Sequence, residues 1–377
     1  MVGLSDAVLY YIQEDNCMRR LAAIMAGGGG TRFWPLSRQE TPKQLIKLTS
    51  DSVMINDTID HFAHLVSRQD TFIVTNCAQY AMMDDVVYPE VSRNNILREP
   101  LGRNTAPCIL YAAMVMKKVY GDAMMAVLPA DHHIADLAEY ERVLGLAFQV
   151  AEDSSTIVTI GIWPSFASTG YGYIRFSDES ISPHSVHAHQ VERFVEKPTQ
   201  SRALEYLNSG RYLWNSGMFI WKVSVILEHF KKMLPEMYDA MEGIYDSLRT
   251  DEEQSAINEI YPSLQSISID YGIMEKASNM YVIPAEFGWN DVGSWDALSA
   301  VFQTDDDNNV VRANHVGIGT ENCIIHGNQD KLITTVGVDN LIIVDTGDAL
   351  LVCHRGHAQE VRKIVEELKK RRMTGYL

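Results

Sequence analysis

The feature that most narrows what this chain can become is a short apolar run, Leu21 to Met25, leading almost directly into four consecutive glycines, Gly27 to Gly30. The run reads as a buried strand. Residues without a Cβ let the backbone turn sharply behind it, and their N–H groups can close on an anion. The stretch continues Thr31-Arg-Phe-Trp-Pro-Leu-Ser-Arg38 and then Pro42-Lys-Gln44, so Arg32 and Lys43 add two fixed positive charges. Strand, glycine turn and cations together indicate a phosphate site at the end of a sheet. Two familiar versions of such a site are excluded by single residues. No Lys-Ser or Lys-Thr follows the glycines, as a Walker loop requires, and Phe33 stands where a dinucleotide fingerprint needs its third glycine. A flexible linker is the poorer account, because linkers rarely carry a Phe-Trp-Pro anchor among arginines.

Strand–helix alternation continues from there. Thr71–Thr75, Met124–Leu128 and Ile157–Ile160 read as further buried strands. Ile55, Ile59, Phe62 and Val66 keep helical spacing, as do Ile109, Ala113, Met116 and Tyr120, the latter set with Asn104 or Thr105 as cap and Pro107 in the first turn. This pattern predicts an α/β fold with a Rossmann-like, mainly parallel sheet, helices on both faces, and ligands at the carboxyl ends of the strands.

Charge limits what the site can attract. The net charge of −17 argues against nucleic acid or an anionic membrane as partner. An anionic substrate must therefore meet a local cationic cluster, which singles out Arg32, Lys43, Arg103 and Lys197. The 377 residues, 46% of them hydrophobic, allow two or three globular domains. Five cysteines, at 17, 77, 108, 323 and 353, form no Cys-x-x-Cys, so buried free thiols in a reducing cytoplasm are expected. No apolar run approaches the roughly 18 residues of a membrane span. Before Met18 the chain carries Asp6, Glu14 and Asp15 without Lys or Arg, so no signal peptide is expected. Within it, Ala7 to Ile12 is either a short helix or part of a start-site extension.

After the acidic tract Asp305–Asn309, read as a solvated linker, the pattern changes. Short apolar runs at Gly317, Cys323, Leu332, Leu341 and Ala349, separated by Gly, Asn and Asp, predict a small β domain of the solenoid type. A closing helix carries Val361, Ile364, Val365 and Leu368 as one stripe. The expected division is an N-terminal extension over residues 1–18, a catalytic domain over 19–298 and a C-terminal β domain over 299–377. The last shows no catalytic constellation, and packing or subunit contact is its expected role.

Several polar motifs carry chemistry. Leu128-Pro-Ala-Asp-His132 puts Asp131 just past a buried strand, where a carboxylate facing a phosphate loop can be either a Mg²⁺ ligand or a turn or cap residue. Asp291, within Phe287-Gly-Trp-Asn-Asp-Val-Gly-Ser-Trp295, is either its partner on one ion or an Asx-turn. In Phe194-Val-Glu-Lys-Pro198 the pair Glu196–Lys197 suits a sugar hydroxyl and a phosphate, or is simply a solvated strand end. Asn215, in Trp214-Asn-Ser-Gly-Met218, places an amide beside an aromatic, and Thr169-Gly-Tyr-Gly-Tyr-Ile174 is a second loop where backbone can approach a ligand. His132 and His133 read as structural. No motif supplies a nucleophile–base pair; the inventory of cations and carboxylates suits phosphoryl transfer, which needs positioning, charge neutralisation and a metal.

In their order, and with Glu99-Pro-Leu-Gly-Arg-Asn-Thr-Ala-Pro107 and Asp270-Tyr-Gly-Ile-Met-Glu-Lys276 added, these motifs resemble the mannose-1-phosphate guanylyltransferases of the sugar nucleotidyltransferase superfamily from Leu21 to about Leu298. Arg-Asn-Thr-Ala-Pro is the piece that looks like the GDP-mannose branch. The resemblance implies a nucleotide-diphospho-sugar transferase fold and the conversion of GTP and mannose 1-phosphate into GDP-mannose and pyrophosphate. It implies Arg32, Lys43 and Asp131 as catalytic residues and Mg²⁺ held by Asp131 and Asp291. Gly27, Gly28, Gly30, Thr31, Glu99, Arg103, Asn104 and Thr105 would bind the nucleotide. Gly172, Glu196 and Asn215 would hold mannose, with Lys197 on its phosphate. Gly29 and Phe33 depart from the usual loop without altering its chemistry. Bifunctional members append a phosphomannose isomerase domain; with the chain ending at Leu377, isomerase activity is not expected. A cytoplasmic homodimer is the expected form. The alternatives are transfer to another sugar 1-phosphate (fucose, heptose or glucose), or a non-catalytic regulatory subunit that binds nucleotide sugar.

Overall fold

The computed structural model describes residues 18–154, 156–181 and 188–377. The expected extension, with Ala7 to Ile12 and Cys17, lies outside them except for Met18, whose N–H donates to Glu152.

Nine strands form the main sheet: β1 (Arg20–Met25), β2 (Thr71–Asn76), β3 (Ile96–Glu99), β4 (Met124–Pro129), β5 (Ile157–Ile162), β6 (Tyr173–Ile181), β7 (Ala188–Val195), β8 (Tyr212–Lys222) and β9 (Met280–Ala285). Their spatial order is β3-β2-β1-β4-β8-β5-β9-β7-β6. The first four run parallel, as does the β5–β9 pair, while β8 enters antiparallel between β4 and β5. The sheet is thus parallel at the half that carries the glycine turn and mixed beyond it.

Alternation along β1 shows why helices cover both faces. Leu21 and Ala23 face a core shared with α3 (Thr105–Tyr120), α6 (Val223–Met233) and α7 (Pro235–Glu242). Ala22 and Ile24 face the other core, filled from α1 (Met54–Asp60), α4 (Leu137–Ser154) and α5 (Gln200–Ser209). Two more helices, α2 (Cys77–Met83) and α8 (Glu253–Ile260), lie beside β2 and β3. Asn104 caps α3, accepting from the Thr105 N–H, with Pro107 in its first turn. The expected helix through Val66 stops at Asp60 and gives way to turns, although Phe62 and Val66 still reach the core.

The C-terminal part coils. Strands β10 (Val310–Arg312), β12 (Ile324–Gly327) and β14 (Leu341–Asp345) stack in parallel, β11 (Asn314–Glu321) stacks on β13 (Leu332–Asp339), and β15 (Leu350–His354) returns antiparallel on β14. Helix α9 (Val361–Lys370) buries Val361 and Val365. The acidic tract is a tight turn rather than a loose linker, for Asn309 is buried and its amide donates to Asp305 and the Thr320 carbonyl. The expectation of buried thiols holds for Cys108 and Cys323 but not for exposed Cys77 or half-buried Cys353. All four are free.

Candidate active site

Parallel register brings the first two motifs together. Met25 lies opposite Pro129, so the glycine turn and Asp131 leave adjacent strands side by side. Gly30 takes φ +60°, and a Cβ there would collide with Lys43. Glycine is therefore required at Gly30 on both counts. The turn is held from behind: Ser37 Oγ donates to the Gly30 carbonyl at 2.5 Å, Gln44 to the Ala26 carbonyl at 2.8 Å, and Gln79 to the Gly28 carbonyl at 3.3 Å.

Tertiary contacts deliver Asp291 to the same place. An isolated antiparallel bridge pairs His133 with Asn290, with N–H to carbonyl bonds of 2.9 and 3.0 Å. The result is a cavity of about 300 Å³ whose walls include Gly30, Thr31, Arg32, Lys43, Asp131 and Asp291. Lys43 is buried at its floor and donates to the Asp131 carboxylate at 2.8 Å and to the carbonyls of Asp131 and Asp291, both at 2.9 Å. An ammonium has three N–H donors, and all three are used. Arg32 donates to the Gly293 carbonyl at 2.8 Å.

The field here favours the ionised form of Asp131. Burial pushes the Asp131 carboxyl up, but Lys43, His132 and Arg32 outweigh it, and its pKa falls below the usual value. Burial holds the His132 pKa down despite Asp131 and Asp291; its Nδ1 accepts from the Trp289 indole at 3.0 Å, which leaves the proton on Nε2. Tyr171 donates to Asp291 at 2.9 Å, and burial with that carboxylate's charge pushes the phenol well up.

The donor chemistry fits a magnesium ion. Mg²⁺ takes one or two carboxylates and completes its shell with water and substrate phosphate. Asp131 and Asp291 each keep an oxygen outside the bonds just described, in one cavity with the end of the glycine turn. Among the described residues no group of three or more His, Cys, Asp or Glu could hold a metal.

Two further clusters hold the remaining sequence-derived residues. At the end of β3, Glu99 is buried, accepts from the Tyr261 hydroxyl, and points its other oxygen at Gly27, 3.3 Å from where a Cβ would sit. Burial raises its pKa to about 7, against the lowering effect of that bond. Arg103 does not turn toward the glycine loop; its guanidinium is drawn to the Pro262 carbonyl. Asn104, in the left-handed region at φ 68°, and Thr105, accepting from the Ile269 N–H at 2.8 Å, shape the start of α3. In the second cluster Gly172 leaves room that a side chain would take from Glu196, whose Oε2 lies 2.5 Å from a built Cβ. The Gly172 carbonyl accepts from the Asn215 N–H at 2.8 Å, and Lys197 pairs with Glu196 at 3.0 Å. Asn215 donates from its amide to Asp270 at 3.0 Å. Asp270 begins a π-helical turn, and burial with the Glu196 charge lifts its pKa to about 6.

Gln44, Gln79, Tyr171, Tyr261 and Asp270 were not singled out from sequence. Gln44, Tyr171 and Asp270 stand inside motifs already quoted, whereas Gln79 and Tyr261 have no local signature; only folding brings them to the site.

Against known families, residues 21–308 match the nucleotidyl transferase model. The chain belongs to the nucleotidyl transferase family. Residues 313–368 of this nucleotidyl transferase match a second model, the mannose-phosphate isomerase/GMP-like beta-helix domain. An alginate biosynthesis protein, AlgA, of Pseudomonas putida is 36% identical over 94% of this chain and 72% of its own. A mannose-1-phosphate guanylyltransferase of Klebsiella pneumoniae is 37% identical over 94% of this chain and 75% of its own. Among solved structures, one described as a mannose-1-phosphate geranyltransferase from Thermus thermophilus superposes with TM-score 0.82 at 35% identity, covering 93% of this chain and all of that one. The resemblance drawn from the motifs and the α/β-plus-β-domain fold are both borne out by these relatives. Among the described residues no helix is long and apolar enough to cross a membrane.

Proposed function

We propose that this nucleotidyl transferase moves GMP from GTP to α-D-mannose 1-phosphate, giving GDP-mannose and pyrophosphate. The observation that carries the reading is the convergence of Arg32, Lys43, Asp131 and Asp291 on one cavity beside the glycine turn. The similarity to a mannose-1-phosphate guanylyltransferase supports the choice of substrates. A phosphate oxygen of mannose 1-phosphate attacks the α-phosphorus in line, and the bond from that phosphorus to the oxygen linking it to the β-phosphate breaks, that oxygen leaving as part of pyrophosphate.

Backbone N–H groups of Gly27, Gly28 and Gly30, with Thr31, receive the triphosphate. Arg32 neutralises charge as it builds there. Lys43 locks the Asp131 and Asp291 segments together, and exchanging one of its carbonyl partners for a phosphate oxygen lets it share that task. Asp131 and Asp291 would hold Mg²⁺, which when bound screens the phosphates and favours pyrophosphate departure. Glu99 accepts from the N1–H and N2–H₂ edge of guanine, an edge on which adenine has no donors; Arg103, Asn104 and Thr105 shape the loop beside it. Gly172, Glu196 and Asn215 receive the mannose hydroxyls, and Lys197 the sugar phosphate. The working division of the chain is 19–298 for transfer and 299–377 for the β domain. A cytoplasmic homodimer is the proposed form, joined through the open face of β11 and β13, where Val316, Ile318, Leu332 and Val336 are exposed.

A panel of sugar 1-phosphates against the common NTPs, read by pyrophosphate release, tests this reading. GTP with mannose 1-phosphate is expected to be the best pair. A better rate with a fucose, heptose or glucose phosphate would reassign the acceptor, and GDP-mannose binding without Mg²⁺-dependent turnover would make the protein a regulatory subunit.

A further inference from the structure

We propose that the C-terminal β domain is a working part of the transfer site, with Asp348 and Gln359 as positioning residues for the phosphate loop and Arg32; this rests on the nucleotidyl-transfer reading above. Four glycines in a row leave a loop with little stiffness of its own. Its far side ends on the other domain. Arg38 forms a two-pronged pair with Asp348, at 2.6 and 2.8 Å, while its Nε donates to the Pro35 carbonyl at 3.0 Å. Thr346 Oγ1 donates to Asp348 at 2.9 Å and so orients the carboxylate. Four residues before Arg38, the Trp34 indole donates to the Tyr376 carbonyl at 2.8 Å.

A second tether reaches Arg32 from the opposite direction. Gln359 donates to Ser294 Oγ at 2.7 Å, and the residue before Ser294 is Gly293, whose carbonyl holds Arg32. Between the tethers, Phe33, Trp34 and Trp295 share one core with Val310, Ile342 and Val361. None of the residues lining the phosphate cavity comes from the β domain. Its part in the reaction is therefore position: Arg32 must sit within about half an ångström of its working place for charge stabilisation to count.

Asp348→Ala, Gln359→Ala and the double variant, made in the full chain, test this by steady-state kinetics and by hydrogen exchange over residues 27–38. Because the Arg38–Asp348 pair is solvent-facing, kcat should fall only about fivefold for each single change, and on the order of twentyfold or more for the double. KM for both substrates should stay near wild type, exchange across the loop should quicken, and Asp348→Glu should recover part of the loss. Should the double variant fold poorly, the single changes and Asp348→Asn, compared per folded molecule by circular dichroism, carry the same comparison. Wild-type kcat and loop exchange in both single variants would overturn the inference. If the unaltered protein transfers no nucleotide to any acceptor, the underlying reading fails instead, and the unchanged or quickened loop exchange still decides whether the domain holds the loop.

Discussion

Lys43 and Asp131, 88 positions apart in the chain, meet at 2.8 Å in the cavity beside the glycine turn, and the same ammonium also ties down the carbonyl of Asp291. One side chain thus joins the segment that follows the glycine turn to both acidic segments. Its partner is only half-buried, so the pair is less a source of stability than a clamp on geometry.

Replacing Lys43 by Met should lower kcat by on the order of 10²-fold, as loss of one charge-stabilising donor does in other phosphate and oxyanion sites. It should also shift the acidic limb of the pH–rate profile upward. Lys43 helps hold the Asp131 pKa below normal, so without it burial dominates and the carboxylate protonates at higher pH. A profile whose acidic limb stays in place would separate Asp131 from Lys43.

Arg32→Ala should cost chiefly turnover, again on the order of 10²-fold or more, with smaller changes in KM. The Gly293 carbonyl loses its partner but can bond to water, so the melting temperature should hardly move. Kinetics together with calorimetry checks both halves of the expectation.

Asp291→Asn should raise the Mg²⁺ concentration needed for half-maximal rate without unfolding the protein. Tyr171→Phe, which removes only the hydroxyl that donates to Asp291, should move the Mg²⁺ requirement by less. Wild-type rates at low Mg²⁺ in the Asn variant would take Asp291 out of the proposed metal site.

Glu99 should make guanine-nucleotide binding depend on pH. Its pKa is raised to about 7, and the acceptor form is the carboxylate, so affinity should weaken as pH falls below 7. In Glu99→Gln that dependence should flatten and preference for GTP over ATP should shrink. Calorimetric titrations with GDP across pH 5.5–8.5 would show it. The linked stability runs the other way: burial penalises the ionised form, so the native state loses stability as pH rises from the ordinary carboxylate range through 7.

Val336→Asp, on the open face of β11 and β13, should shift a dimer to monomer while leaving the catalytic fold intact. Sedimentation at micromolar concentration reads this directly.

What the sequence determined by itself was local. The apolar run before Gly27, the helical spacing from Ile109 to Tyr120 and the short strands after Gly317 each follow from a period and a turn that sit within a dozen residues. The expectation of phosphate chemistry arose for the same reason, since glycines and cations occupy one short segment. Only the tertiary structure decided how the distant pieces meet. Parallel register between β1 and β4 sets Asp131 beside the glycine turn, and the His133–Asn290 bridge brings in Asp291. It set Arg103 on the Pro262 carbonyl, 159 positions along the chain, rather than on the glycine loop. It also joined Arg38 to Asp348 across 310 positions, making a domain that looked merely structural the neighbour of the segment after the glycine turn. Contacts of that range depend on strand order and domain packing, which no short stretch of residues encodes.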